Sequence, residues 1–202
     1  TKLTTADNKA YKFTYSDTYK HRMLSATSES SGVKNSFTYD GSGNLTKTRV
    51  DKSGYAKYIE QSSTYTSNGN YLATSTAANG YSTTYTYNPY KGTLTSVKDA
   101  NDKTTTYTYD GNTDRMKTVT SGGSTVEYTY NDNGQLTSIQ SPGSSPTYNF
   151  VYDKWGNNTE VKVGSQILVT NTYKSNNGLL TQQKYGNEFT VGHNYDSLDR
   201  ET

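Results

Sequence analysis

The 202-residue chain carries 20 basic and 18 acidic side chains, a formal net charge of +2, and no cysteine. That composition excludes disulfide stapling and thiolate chemistry, and charges so evenly interspersed make no case for a nucleic-acid groove or an anionic membrane surface. Only 29% of residues are hydrophobic, yet 21 are tyrosines, so the buriable area is aromatic rather than aliphatic, unlike that of a disordered chain.

In chain order, one short element keeps returning. It reads Phe13-Thr14-Tyr15, then Phe37-Thr38-Tyr39, Ser63-Thr64-Tyr65 and Tyr85-Thr86-Tyr87. Tyr107-Thr108-Tyr109, Tyr128-Thr129-Tyr130, Phe150-Val151-Tyr152, Asn171-Thr172-Tyr173 and His193-Asn194-Tyr195 follow. The last tyrosine of each is an anchor, and the nine anchors are spaced by 24, 26, 22, 22, 21, 22, 21 and 22 residues. A regular period of this length is the signature of a repeat architecture. Aromatic, β-branched, aromatic is a period-two strand pattern, with both rings on one face and the threonine on the other.

Each anchor leads into a corner. Asp40, Asp110, Asp153 and Asp196, or Asn88 and Asn131, stand directly after it, and a glycine such as Gly43, Gly69, Gly92, Gly134, Gly156 or Gly178 follows a few residues later. Asp or Asn caps backbone N–H groups as a turn opens, and glycine takes the left-handed position that closes it. Such short loops join antiparallel strands. Beyond the corner an apolar residue recurs, and in three repeats another follows three positions later: Leu94/Val97, Met116/Val119 and Leu136/Ile139. A spacing of three does not fit one face of a regular strand, so either a β-bulge resets the register or both faces bury something. Softer turns, such as Ser121–Ser124 and Lys52–Gly54, lead back to the next anchor. Pro89, Pro142 and Pro146 fall in turns or connections, as strand pairing requires. The reading is all-β: nine tandem β-hairpins of roughly 22 residues in one continuous antiparallel array over residues 1–202, with no helix and no internal boundary.

Written out, FTYDGSGNLT at 37–46 and YTYNDNGQLTSI at 128–139 resemble the YD repeat of the Rhs family, roughly aromatic-x-Tyr-Asp-x-x-Gly-Arg-Leu. The resemblance covers essentially the whole chain. Departures are Asn44, Asn70, Thr93, Gln135 and Asn157 in place of the arginine, Asp114–Met116 and Leu198–Arg200 without the glycine, and Lys174 in place of Asp. The resemblance implies an open, curved segment of a hollow β-shell, a structural module of a secreted polymorphic toxin or of a Gram-positive wall-associated protein. It implies a C-terminal toxin domain, enclosed or presented by the shell, as the main partner. With no initiator Met and no signal-like segment, the chain is expected to be a piece of a longer secreted protein.

The corners at 40–44, 110–114 and 131–134 offer alternating oxygens, but none has the bidentate Glu of a calcium loop, so turn capping is expected and no metal or cofactor. His21 and His193 lie in different repeats, and a catalytic base needs a partner within hydrogen-bond reach; no phosphate loop or hydrolase motif occurs. The expectation is a chain that is not an enzyme. The repeat-core aromatics are Tyr15, Tyr39, Tyr65, Tyr87, Tyr109, Tyr130, Tyr152, Tyr173 and Tyr195, with Asp40, Gly43, Asp110, Gly134, Asp153 and Gly156 as turn residues. The alternative is a carbohydrate or cell-wall surface built on the tyrosine stripe. Trp155 is expected to cover the end of its hairpin. No apolar run approaches the ~18 residues of a membrane span, and unpaired edge strands predict edge-to-edge self-association.

Overall fold

The computed structural model describes every residue except Lys20, Ser144, Ser145 and Asn187. The chain divides into two compact units, Thr1–Thr104 and Thr105–Thr202. The first holds β1 (Lys2–Thr4), β2 (Ala10–Tyr15), β3 (Met23–Ser28), β4 (Val33–Tyr39) and β5 (Leu45–Lys52). It continues through β6 (Ile59–Tyr65), β7 (Leu72–Thr76), β8 (Ser82–Tyr87) and β9 (Leu94–Lys98). The chain enters the second unit through β10 (Thr104–Tyr109), followed by β11 (Met116–Ser121), β12 (Ser124–Tyr130), β13 (Leu136–Gln140) and β14 (Thr147–Tyr152). β15 (Asn158–Val163), β16 (Gln166–Tyr173), β17 (Leu180–Tyr185) and β18 (Thr190–Gly192) complete it.

Within each unit the strands pair antiparallel in chain order, and among the described residues no pairing joins β1 to β9 or β10 to β18. The all-β fold of tandem hairpins is therefore the observed one.

Register settles the three-residue spacing. Tyr87 faces Leu94 and Tyr85 faces Val97, with Thr86 against Ser96 and a shift between Thr86 and Tyr87. Thr95 is the extra residue, a β-bulge that returns Leu94 and Val97 to the same face. The same shift precedes the anchor at Tyr15, Tyr39, Tyr65, Tyr109, Tyr130, Tyr152 and Tyr173. Threonine at the bulge fastens it: the hydroxyls of Thr46, Thr95 and Thr181 donate to the carbonyls of Thr38, Thr86 and Thr172 at 3.0–3.1 Å.

The two faces differ in chemistry. One collects the rings with their cross-strand aliphatics, such as Tyr128 with Ile139 and Phe150 with Val161. The other pairs hydroxyls across strands: Thr14 with Ser25, Thr64 with Thr74, Thr108 with Thr118, and Thr129 with Ser138, at 2.6–2.7 Å. Among the described residues no apolar side chain is buried; only Ser25 is, at 6% exposure. Each unit is a single layer, so a ring covers its neighbours but nothing covers the ring. Eight anchors are accordingly half-buried, and Tyr15 is exposed.

Candidate functional site

The feature that recurs at every hairpin is the corner, and it is built from three parts. The first is the Asx cap. Asp40 Oδ1 accepts the backbone N–H of Asn44 at 2.8 Å, and Asp153 Oδ1 accepts those of Trp155 and Asn157 at 2.8 and 2.9 Å. Asp110 Oδ1 accepts Asn112 and Thr113 N–H, and Asn131 Oδ1 accepts that of Gln135. The second part is a left-handed residue near the end of the loop: Gly43, Gly69, Gly92, Gly134, Gly156 and Gly178, with Asp114 and Asp199 serving at two corners.

The third part is the residue that leads into the second strand. It reaches over the next corner. Asn44 Nδ2 donates to Gly69 O at 2.7 Å, and Gln135 Nε2 donates to Gly156 O at 3.1 Å. Arg22 lies over Tyr19 at 3.9 Å and over Tyr39 at 5.9 Å. Tyr71 stacks on Tyr87 with centroids 4.9 Å apart and planes at 24°.

A rung of hydrogen bonds runs beside the corners. Tyr39 Oη donates to Met23 O, Tyr65 to Leu45 O, Tyr152 to Leu136 O, Tyr173 to Asn158 O and Tyr195 to Leu180 O, all at 2.9–3.0 Å. Each acceptor is the residue that faces the previous anchor immediately before the bulge. A bulge takes backbone groups out of the ladder, and a polar backbone group needs a partner; the next anchor's hydroxyl supplies it. Tyrosine rather than phenylalanine at the anchor follows from this geometry.

Residues 90–126 match the family model described as RHS Repeat. No curated protein sequence matches the chain. Among solved structures, the Tc holotoxin pore of Photorhabdus luminescens, with a mutation in TccC3, aligns over 100% of this chain and 15% of its own at 13% identity and a TM-score of 0.51. The crystal structure of TcdB2-TccC3-TEV aligns over 100% of this chain and 15% of its own at 14% identity and a TM-score of 0.52. Residues 90–126 therefore carry an RHS repeat. The chain spans 15% of the length of those two structures, and at such identities the likeness is one of fold.

Against the YD pattern, the structure corrects one assignment. The arginine position of the third repeat belongs to Tyr71, not Asn70, because that corner is one residue longer and Thr66 N–H bonds to Tyr71 O. The bulge threonines and the rung acceptors were missed. A Thr directly after the corner's apolar residue (Thr46, Thr95, Thr137, Thr181) was the available signal.

The electrostatics of the corners are those of caps. Asp40 has its carboxyl pKa lowered, first by the Asn44 N–H; Asp110 by the Thr113 hydroxyl; Asp153 by the Asn157 side chain; and Asp196 by Arg200. Burial raises the phenols of Tyr87, Tyr109 and Tyr173, with the Asp153 charge adding to the effect at Tyr173.

Open clefts recur between a corner and the next anchor strand. One of about 470 Å³ holds Tyr19, Arg22, Tyr39 and Asp40; one of about 280 Å³ holds Tyr71, Tyr85 and Tyr87; one of about 450 Å³ holds Arg115, Tyr128 and Tyr130. None joins a nucleophile to a base. His21 is exposed, and His193 Nδ1 lies 2.6 Å from Glu201 Oε1 within the last hairpin. No group of three or more His, Asp or Glu side chains able to hold a metal occurs among the described residues. Trp155 does not cover its hairpin: it is 72% exposed, with Lys154 Nζ 4.8 Å from its ring. The tip of a two-strand corner in a single layer has nothing behind it to receive an indole. No described helix is long and apolar enough to cross a membrane.

Proposed function

We propose that this structural Rhs repeat module forms part of the wall of a β-shell that encloses or presents a toxin domain C-terminal to it in a secreted protein. The observation that carries this reading is the rung: one anchor hydroxyl to one bulge carbonyl, repeated at Tyr39, Tyr65, Tyr152, Tyr173 and Tyr195. Such a device extends a thin surface indefinitely and converges on no substrate. The nine anchors from Tyr15 to Tyr195 are its structural residues, and Asp40, Gly43, Asp110, Gly134, Asp153 and Gly156 set its corners.

The test is protease protection of the C-terminal region in the parent protein, compared with a Tyr152→Ala/Tyr173→Ala variant. Protection lost in the variant supports a sealed wall; a C-terminal region cut equally fast in both sinks it. An isolated array also presents edge strands such as β1, exposed along its length, so self-association on concentration is part of the proposal, read by light scattering.

A second reading, a glycan or cell-wall surface, draws on different tyrosines from the anchors. The hydroxyls of Tyr39, Tyr65, Tyr152, Tyr173 and Tyr195 are committed to rungs, whereas Tyr90 is 96% and Trp155 72% exposed. Saturable binding to purified cell wall that Tyr90→Ala and Trp155→Ala abolish would favour it over the wall.

A further inference from the structure

The side chain leading into a second strand lies against the left-handed residue of the following corner, and the space between them is measurable. A Cβ built on Gly92 would stand 2.0 Å from Tyr71 Oη and 2.6 Å from its Cζ. On Gly134 it would stand 2.0 Å from Arg115 Nη2, and on Gly43 2.1 Å from Arg22 Nη2. Gly54 and Gly80 have the same kind of backbone, φ +84 at each, yet a Cβ there meets nothing within 4 Å. Backbone conformation asks for glycine at all of these sites. At Gly43, Gly92 and Gly134 a neighbouring hairpin also forbids a side chain.

The obstruction differs in stiffness. An arginine tip swings aside. The Tyr71 ring cannot move without giving up its stack on Tyr87, a contact of the kind worth about 0.5–1.5 kcal/mol beyond its area.

Two corners carry Asp in the left-handed region, Asp114 at φ 54 and Asp199 at φ 61. Within the second unit, the hairpin preceding Asp199 has Leu179 at the leading position, an apolar side chain, where the hairpins before glycine corners have Arg, Tyr, Asn or Gln. Within that last pair of hairpins, Asp199 Oδ1 instead accepts Asn177 Nδ2 at 3.0 Å.

We infer that the leading residue of one hairpin and the left-handed residue of the next corner form a matched pair that decides which hairpin docks on which. A long polar or aromatic leading residue takes a glycine corner as its partner; Leu accepts an Asp corner. The interaction surface is the corner edge, and its fitting partner is another YD corner with the complementary left-handed residue. The order of hairpins is thereby written in side chains, beyond the backbone pairing that any two hairpins share. A hairpin with Asp at this place is mismatched behind Tyr71 and matched behind Leu179.

The experiment uses the full chain in denaturant unfolding, comparing Gly80→Ala, Gly92→Ala, Tyr71→Thr and the Tyr71→Thr/Gly92→Ala double variant. Gly80→Ala reports the left-handed backbone alone, an expected fall of about tenfold in the folding equilibrium constant. Gly92→Ala falls about tenfold further, the size of an overpacked contact, and that excess vanishes in the Tyr71→Thr background. Equal losses at Gly80 and Gly92, or an excess that survives Tyr71→Thr, overturns the pairing. Should Gly92→Ala not fold, the converse applies: Leu179→Tyr against Asp199 destabilises, and Asp199→Gly restores. A harmless Leu179→Tyr, or a loss that Asp199→Gly leaves in place, likewise overturns it.

Discussion

The corners and the turns at the opposite ends of the strands do different work with similar residues. Both use left-handed glycines, but corner glycines such as Gly43, Gly92 and Gly134 face a side chain from the preceding hairpin, while Gly54, Gly80, Gly122 and Gly164 face open space. Lengths diverge in the same sense: the loops between β11 and β12 and between β15 and β16 are two residues long, and that between β5 and β6 is six. The far turns also carry exposed rings, Tyr55 and Tyr81 among them. At the far turns a Cβ would meet a neighbour at Gly186, 2.6 Å from Ile167 O, and at Gly32, 3.0 Å from Ser53 Cβ, so information about the neighbouring hairpin is concentrated at the corners without being confined to them. Where a far turn faces open space it only has to reverse the chain, so many sequences serve.

The most severe way to break this contrast is at the anchor. Tyr152→Ala removes a half-buried ring and a rung together and is expected to cost about 2–3 kcal/mol in denaturant unfolding; a loss below that of a far-turn substitution would contradict the rung. Tyr152→Phe keeps the ring and forfeits only the bond to Leu136 O, an expected loss of about 1 kcal/mol. A neutral Phe would show the hydroxyl is ornamental.

Protonation sharpens the comparison, because the lowered carboxyls at Asp40, Asp110, Asp153 and Asp196 all belong to corners. A depressed carboxyl stabilises fully above its unfolded pKa, about 3.9 for Asp, and the contribution fades as pH falls through the lower folded value. Acid titration by circular dichroism should show corner loss starting just below that pH, flattened in Asp153→Asn. The raised phenols behave oppositely: their contribution is complete below about pH 10 and disappears above it as tyrosinate forms, a transition that Tyr173→Phe should weaken. The smallest effect belongs to the far turns, where lengthening the Gly122–Gly123 loop by two glycines is expected to change stability by no more than about 0.5 kcal/mol.

Much of the fold was legible because period-two strands and Asx–Gly corners are local events. Tyr85-Thr86-Tyr87-Asn88 states its own alternation and its own turn, whichever hairpin lies beside it. The bulge was only half legible: the three-residue spacing of Leu94 and Val97 announced an irregularity, but two resolutions fitted until the partner strand fixed the count. Tyr71 was misassigned because a corner one residue longer looks, in one dimension, like a substitution.

The sequence by itself determined the hairpin period, the aromatic and threonine faces and the capped corners, since each depends on residues a few positions apart. Tertiary structure alone decided where each anchor hydroxyl points and what stands over each glycine. Those contacts join residues 15 to 25 positions apart on adjacent hairpins, as in Tyr195 to Leu180 and Asn44 to Gly69. Their geometry exists only once bulge and register have brought the two hairpins side by side.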